Sequence, residues 1–341
     1  MTEKNHAIDE KSLASYLERH IAGFTGPVRA EKFSDGQSNP TFLLTAKSGR
    51  YVLRRKPSGT LLPSAHAVDR EYRVLEALAD TDVPVAQAFH LCEDDAVIGS
   101  MFYVMSFEQG KVYWDPSLPE FSKADRGVIY DEIIRVMAAL HYVDINAVGL
   151  DDYGKPGNYF ERQINRWSKQ YRASETEVIP AMDKLIDWLN ANLPEDNAGA
   201  CLIHVDYRLD NLMLHESYRR IIAVLDWELS TLGNPLADLA YFCMGLRLPK
   251  TAHSNGLAGM DRQALGIPSE EMIVARYCEL RGVEKIDHWD FYLVFSYFRL
   301  AAIAQGVYKR ALGGNASNEN AAQLGKMVQA LAAMAIDLVD E

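Results

Sequence analysis

The sequence predicts an α+β protein of two lobes. A small antiparallel β-sheet lobe with one main helix spans residues 1–107, and a larger, mostly helical lobe spans residues 108–341. Three observations carry that prediction. Alternating apolar patterning, cut by turn signals, runs through the first hundred residues. Helical periodicity takes over after Gly110. The 341 residues, 48% of them hydrophobic, exceed what one small core requires.

A first helix is expected over residues 9–24, where Leu13, Tyr16, Leu17 and Ile21 share a face. Strands follow at 28–33, 41–45 and 51–55, separated by Ser34-Asp35-Gly36 and Ser48-Gly49 turn signals. Val68, Tyr72, Leu75 and Leu78 mark a helix over 66–79, and two further strands are expected near 88–92 and 101–107. Beyond Gly110, Ile129, Ile133, Val136, Met137 and Leu140 form a helical stripe. Helical patterns recur at 159–171, 180–193, 236–246, 269–281, 289–312 and 319–339. One β-like island, with strands at 201–204, 212–215 and 221–225, is embedded among them as a hairpin.

Composition narrows the function. A net charge of -12 argues against a nucleic-acid binder, whose footprint is a basic face. The four cysteines are far apart and form no CxxC pair, so neither a zinc knuckle nor a redox motif is expected. The polar first ten residues precede no apolar segment of the secretory type, and no run approaches the length of a membrane span. A cytoplasmic protein, monomer or homodimer, is the expectation.

The chemistry is concentrated in Leu202-Ile-His-Val-Asp-Tyr-Arg-Leu-Asp-Asn-Leu-Met-Leu214, followed by Val224-Leu-Asp-Trp-Glu228. His204, Asp206 and Asn211 have the spacing H-x-D-x-x-x-x-N, and Asp226 ends an apolar strand. Phosphoryl transfer to a hydroxyl needs a carboxylate to take or orient the attacking proton. It also needs hard oxygen ligands for Mg²⁺. A strand–loop–strand can supply both, with Asp206 and Asn211 across the loop and Asp226 on the returning strand. His204 is expected to brace the loop.

These motifs resemble the catalytic loop and metal-binding aspartate of the aminoglycoside phosphotransferase family, relatives of choline kinases and, more distantly, of protein kinases. The resemblance implies a protein-kinase-like fold and a small-molecule kinase using ATP, or GTP, with Mg²⁺. It implies Asp206 as the catalytic base and Asn211 and Asp226 as magnesium ligands. Glu228 resembles the second acid of the choline-kinase Asp-x-Glu and supports the metal. The family usually has Gly where this chain has Val205. Arg208 stands where protein kinases carry a lysine. It either neutralises charge on the transferring phosphoryl group or pairs with Asp210 or Asp152.

In the first lobe, the backbone of Ser34, Asp35, Gly36, Gln37, Ser38 and Asn39 is suited to cover the nucleotide phosphates. Tyr51-Val-Leu-Arg-Arg-Lys56 resembles the strand bearing the phosphate-pairing cation, with Arg54 at the matching position and Lys56 the alternative. Strand alternation puts both on one face and Arg55 on the other. Glu71 matches the helix glutamate that pairs with that cation. Ser106, Phe107 and Glu108 match the hinge that holds the base. In Gly233-Asn-Pro-Leu-Ala-Asp-Leu-Ala240, Asp238 matches a residue that braces the catalytic loop, and Asn234 stands where the family often has Asp.

The resemblance is closest to the branch found fused to, or encoded near, acyl-CoA dehydrogenases, through Tyr51 to Pro57, His204 to Asn211 and Phe298-Arg-Leu-Ala-Ala302. It implies a functional link to such an enzyme, although no room remains for a dehydrogenase domain after the helical lobe. It also implies a hydroxy acid or hydroxyacyl-CoA acceptor, ahead of aminoglycosides and choline-like amino alcohols. Asp152, Tyr153, Arg162, Arg166 and Arg299 are the substrate-side candidates. Arg162 and Arg166 share a helix face and suit an anion or pair with Asp151 or Glu161.

Rival readings carry less. A pseudokinase lacks a base or metal ligand, whereas all three are present. A protein kinase has an A-P-E segment after the metal aspartate, and Asp226 runs almost directly into residues 229–239. No G-x-S-x-G or H-E-x-x-H supports a hydrolase.

Overall fold

The computed structural model describes residues 8–33, 39–57, 66–196, 199–215, 217, 219–251, 254–313 and 321–340. The chain forms two compact units that interleave along the sequence, where the sequence reading draws one boundary after residue 107. Unit 1 comprises 1–112, 146–150 and 211–229; unit 2 comprises 113–145, 151–210 and 230–341.

Unit 1 is built on an antiparallel sheet of β1 (Val28–Lys32), β2 (Thr41–Ala46), β3 (Gly49–Arg55), β4 (Ala88–Cys92) and β5 (Phe102–Ser106), in the order β1-β2-β3-β5-β4. The register decides what each face carries. Phe42, Leu53 and Val104 are aligned across β2, β3 and β5, and they pack with Leu13 and Leu17 of α1 (Glu10–His20). One residue along, Thr41, Arg54 and Tyr103 are aligned, so they occupy the opposite face. There, α2 (Val68–Leu78) packs against β4 and β5 and buries Glu71.

Helix α1 is shorter than its apolar pattern. Asp9 caps it, accepting the N–H groups of Lys11 and Ser12. The helix stops at His20, and Ile21 and Phe24 continue into the core as extended chain and turn.

The expected β island splits into two structures. β8 (Leu212–His215) and β9 (Arg220–Val224) make a hairpin in unit 1, extended by β6 (Lys111–Val112). β7 (Cys201–Ile203) instead pairs with β10 (Thr231–Gly233) in unit 2. At two and three residues, β6 and β10 are too short to show an alternating pattern, and the sequence reading omits both. Pairing of β10 also depends on Gly233, where a Cβ would stand 2.5 Å from Ile203 Cδ1 and 2.6 Å from the Tyr159 ring.

The rest of unit 2 is helical: α3 (Lys123–Tyr142), α4 (Tyr159–Ser174), α5 (Pro180–Ala191), α6 (Leu236–Arg247), the short α7 (Arg262–Leu265), α8 (Glu270–Arg281), α9 (Trp289–Leu312) and α10 (Ala321–Asp340). Apolar on most of its surface, α9 is the hub, packed by α4, α5, α6 and α10. Its aromatic residues Phe291, Phe295, Tyr297 and Phe298 are core, as their spacing suggests. No described helix is long and apolar enough to cross a membrane.

Candidate active site

In unit 1 the strand cation, the helix carboxylate and the Asp226 carboxylate meet. Arg54 Nε lies 2.9 Å from Glu71, while its Nη2 lies 2.6 Å from Asp226 Oδ1 and 3.8 Å from Glu228. Glu71 also accepts hydrogen bonds from Asn39 Nδ2 at 2.7 Å and Tyr103 Oη at 3.1 Å. Burial pushes the Glu71 carboxyl up to about 7, with the Arg54 charge pulling the other way. Burial likewise opposes the Arg54 charge, but Glu71, Tyr103 and Asp226 outweigh it and raise its pKa. Of the two cationic candidates, Arg54 enters this network, while among the described residues Lys56 pairs with Asp69 at 3.7 Å. Arg55, on the other face, is buried with its guanidinium over the Phe42 ring.

Asn39, expected among the phosphate-covering residues, is 2% exposed and turned inward. Its side-chain oxygen takes His66 Nδ1 at 2.9 Å, and its amide nitrogen orients Glu71. Ser34, Asp35, Gly36, Gln37 and Ser38 lie outside the described residues. At the hinge, Ser106 Oγ donates to Glu108 and accepts the N–H of Gln87, and Phe107 lies beneath the Arg50 guanidinium.

Asn211 and Asp226 are joined through the backbone, since Leu225 N–H donates to Asn211 O at 2.8 Å. Asp226 has φ +61, a left-handed conformation that ends the extended run of β9. Asp226 and Glu228 carry carboxylates beside Arg54 Nη2, and Asn211, tied by its backbone to Leu225, carries an amide oxygen. That chemistry fits Mg²⁺, which takes one or two carboxylates and keeps several waters.

In unit 2, the loop carrying Asp206 is held by its backbone. Asp238 of α6 is fully buried, and its two oxygens accept the N–H groups of His204 and Val205, each at 2.7 Å. His141 Nε2 lies 3.2 Å from Asp238 Oδ2, and His141 Nδ1 lies 2.7 Å from the Tyr277 hydroxyl. Burial holds the His141 pKa below its ordinary value; with the ring neutral, Nε2–H donates to the carboxylate and Nδ1 accepts from Tyr277. Burial alone would raise the Asp238 carboxyl, but His141, His204 and the backbone bond outweigh it and keep it below the usual carboxylate range. Tyr207 Oη fixes the next turn by donating to Ile133 O at 2.8 Å.

Val205 has φ +71. The loop therefore requires the conformation glycine adopts freely, and the substitution for the family's usual glycine leaves a strained β-branched residue there. From the sequence, that departure matters only if the loop needs a positive φ at this position, and it does. Arg208 pairs with Asp210 through Nε and Nη2.

The substrate-side candidates do not gather as one group. Tyr153 is 2% exposed with its hydroxyl bonded to Ser230 Oγ at 2.8 Å, so it is a core residue. Arg162 pairs with neither expected acid: it donates to the carbonyls of Lys155 and Pro156. Arg166 is exposed beside the Trp167 ring, and Asp152 is exposed. Arg299 is 5% exposed, and its Nη1 donates to Val205 O at 2.8 Å.

Residues the sequence reading missed include Tyr241, His141 and Tyr277. Tyr241 hydrogen-bonds Asp206, and its hydroxyl is pushed up to about 12, first by burial and then by that carboxylate. It stands one helical turn after Asp238, a spacing that signals a shared face. Asn234 caps the start of α6, accepting Leu236 N–H at 3.0 Å, a task its amide oxygen performs as an aspartate would.

Residues 29–269 match a family described as the phosphotransferase enzyme family, APH. A curated mouse relative, acyl-CoA dehydrogenase family member 10, is 47% identical over 336 residues, which is 98% of this chain. The chain spans only 31% of that relative's length. A crystal structure of a Ralstonia eutropha protein, provisionally described as an aminoglycoside phosphotransferase, is 49% identical with a TM-score of 0.91. The match covers 98% of this chain and 99% of that one. An aminoglycoside phosphotransferase solved with ADP and hygromycin B shares the fold at 16% identity, TM-score 0.63, over 97% and 98% of the two chains.

Proposed function

Because this chain belongs to the phosphotransferase enzyme family, we propose that it transfers the γ-phosphoryl group of ATP to a hydroxyl of a small molecule. The observation that carries the reading is the shared Arg54 guanidinium, which joins the β3 cation, the α2 glutamate and the Asp226 carboxylate in one network. Phosphoryl transfer is mostly positioning and charge stabilisation, and this network supplies both.

In this reading Asp206 accepts the proton of the attacking hydroxyl, held for that task by the Asp238-braced loop and by Tyr241. Arg54, oriented by Glu71, meets the nucleotide phosphates. Asn211 and Asp226, supported by Glu228, hold Mg²⁺, which when bound neutralises phosphate charge. Arg208, half-exposed and paired with Asp210, neutralises charge on the transferring group in this reading.

For the acceptor we favour a hydroxy acid or a hydroxyacyl-CoA thioester. The name of the mouse relative points to acyl thioesters, and the exposed Arg166 suits an anion. An aminoglycoside acceptor is the second reading, supported by the description of the 49% identical Ralstonia protein.

The test is Mg²⁺-dependent ADP release with ATP and a panel of hydroxyacyl-CoA thioesters, free hydroxy acids, aminoglycosides and choline. One class should stimulate release. Asp206→Asn should lower that turnover by roughly 10²–10⁴-fold while nucleotide binding persists. Turnover that survives the substitution would remove Asp206 from the role of base.

A further inference from the structure

We propose that Arg299 is a positioning residue for Asp206, acting through the Val205 peptide and through Tyr241; this rests on reading Asp206 as the base. Arg299 interrupts the apolar run Phe295-Ser-Tyr-Phe-Arg-Leu-Ala-Ala302 in the middle of α9 and is 5% exposed. A charge buried at that depth needs specific partners, and its partners lie around one loop.

Val205 is gripped from both sides. The peptide preceding its Cα is held by its N–H, which donates to Asp238 Oδ1 at 2.7 Å. The peptide following it is held by its carbonyl, which accepts from Arg299 Nη1 at 2.8 Å. With both flanking peptide planes fixed, both backbone torsions of Val205 are fixed. That is the condition under which a β-branched residue persists at φ +71. Without one grip, Val205 relaxes toward the extended region that β-branched residues prefer.

The peptide held by Arg299 leads directly into the Asp206 Cα, so its rotation swings the carboxylate. The Tyr241 phenol neighbours that carboxylate, and the Arg299 guanidinium lies over the Tyr241 ring, 5.2 Å from its centroid. On its other side Arg299 approaches Trp167, at 5.9 Å. One guanidinium thus fixes the backbone before the base and the phenol beyond it.

The proposal predicts a coupling that a residue merely filling the core would not show. Glycine occupies φ +71 without enforcement, so Val205→Gly should reduce the need for Arg299. The experiment is a double-mutant cycle of Val205→Gly and Arg299→Met, read by thermal unfolding and by ADP release with the stimulating acceptor. Arg299→Met alone should lower kcat by about 10²-fold, the scale of a 1 Å misplacement, with the KM for ATP changed less than about two-fold. In the Val205→Gly background the same substitution should cost several-fold less in kcat and fewer degrees of Tm.

Additive Tm and kcat effects, or a KM that rises in step with the fall in kcat, overturn the proposal. If Arg299→Met yields no folded protein, Arg299→Gln carries the same cycle, since its shorter amide keeps a polar group in the core but gives up the guanidinium bond to the Val205 carbonyl. A wild-type chain without turnover on any acceptor overturns the kinase reading and with it the role of Asp206. The Tm cycle still decides separately whether Arg299 holds Val205.

Discussion

Glu71, 2% exposed and bonded to Arg54, Asn39 and Tyr103, has no route to water that would tolerate its charge alone. The consequence for Arg54→Met can be worked out with its sign. The carboxyl already sits above its ordinary value of 4.5, at about 7, and removing Arg54 takes away the charge that pulls it down. A carboxyl raised in the folded state contributes its stability below the unfolded value and loses it as pH rises through the folded one. Arg54→Met should therefore be only modestly less stable than wild type near pH 5. The deficit should grow on moving to pH 8, toward the roughly 3–5 kcal/mol typical of a broken buried pair. Urea unfolding of both proteins at the two pH values measures this, and a deficit that shrinks with rising pH would contradict it. Arg54 and Glu71 were legible in the sequence because each sits on a regular element. Asn39 was not, since a polar residue beside a turn gives no sign that it points inward.

At the scale of elements, unit 2 is organised by contacts that the helical patterns only half announce. The ends of α9 fall where the apolar run begins and stops, because a helix buried on most sides carries its boundaries in composition. β10 carries no such signature, and its position follows from tertiary pairing with β7 and from the bare Cα of Gly233 facing Tyr159. Gly233→Ala should destabilise the protein by about 1–3 kcal/mol through overpacking, with the loss seen as a lower urea midpoint at unchanged slope. A stability equal to wild type would mean that α4 and β7 can separate without penalty. The loop between β7 and β8 shows the limit of sequence reading. Its residue types and spacing were visible, while the left-handed angle at Val205 and the grip of Arg299 arise from elements almost a hundred residues apart.

For the whole molecule, every thiol is enclosed. Cys92, Cys201, Cys243 and Cys278 are free and buried, and burial raises the titration of Cys201, Cys243 and Cys278 above the ordinary thiol range. Thiolate is the reactive form, so a native sample should react negligibly with an aromatic disulfide reagent and release close to four equivalents once denatured. Prompt reaction of even one thiol in the native state would show that a core segment opens readily. The division into a β-rich and a helical part was legible because its two patterning regimes are long, while the protein-kinase-like fold followed from the motif resemblance. What the pattern could not assign was the hairpin of β8 and β9, surrounded in sequence by helices yet part of unit 1.

That interleaving has a consequence during synthesis. The sheet of unit 1 is complete in the first 112 residues, but Asp226, the second carboxylate on Arg54, emerges more than a hundred residues later. At about 5–20 residues per second, the nascent Arg54–Glu71 pair waits roughly 6–25 s for it. A ribosome paused between residues 112 and 211 holds a sheet whose cation has its first carboxylate but not its second.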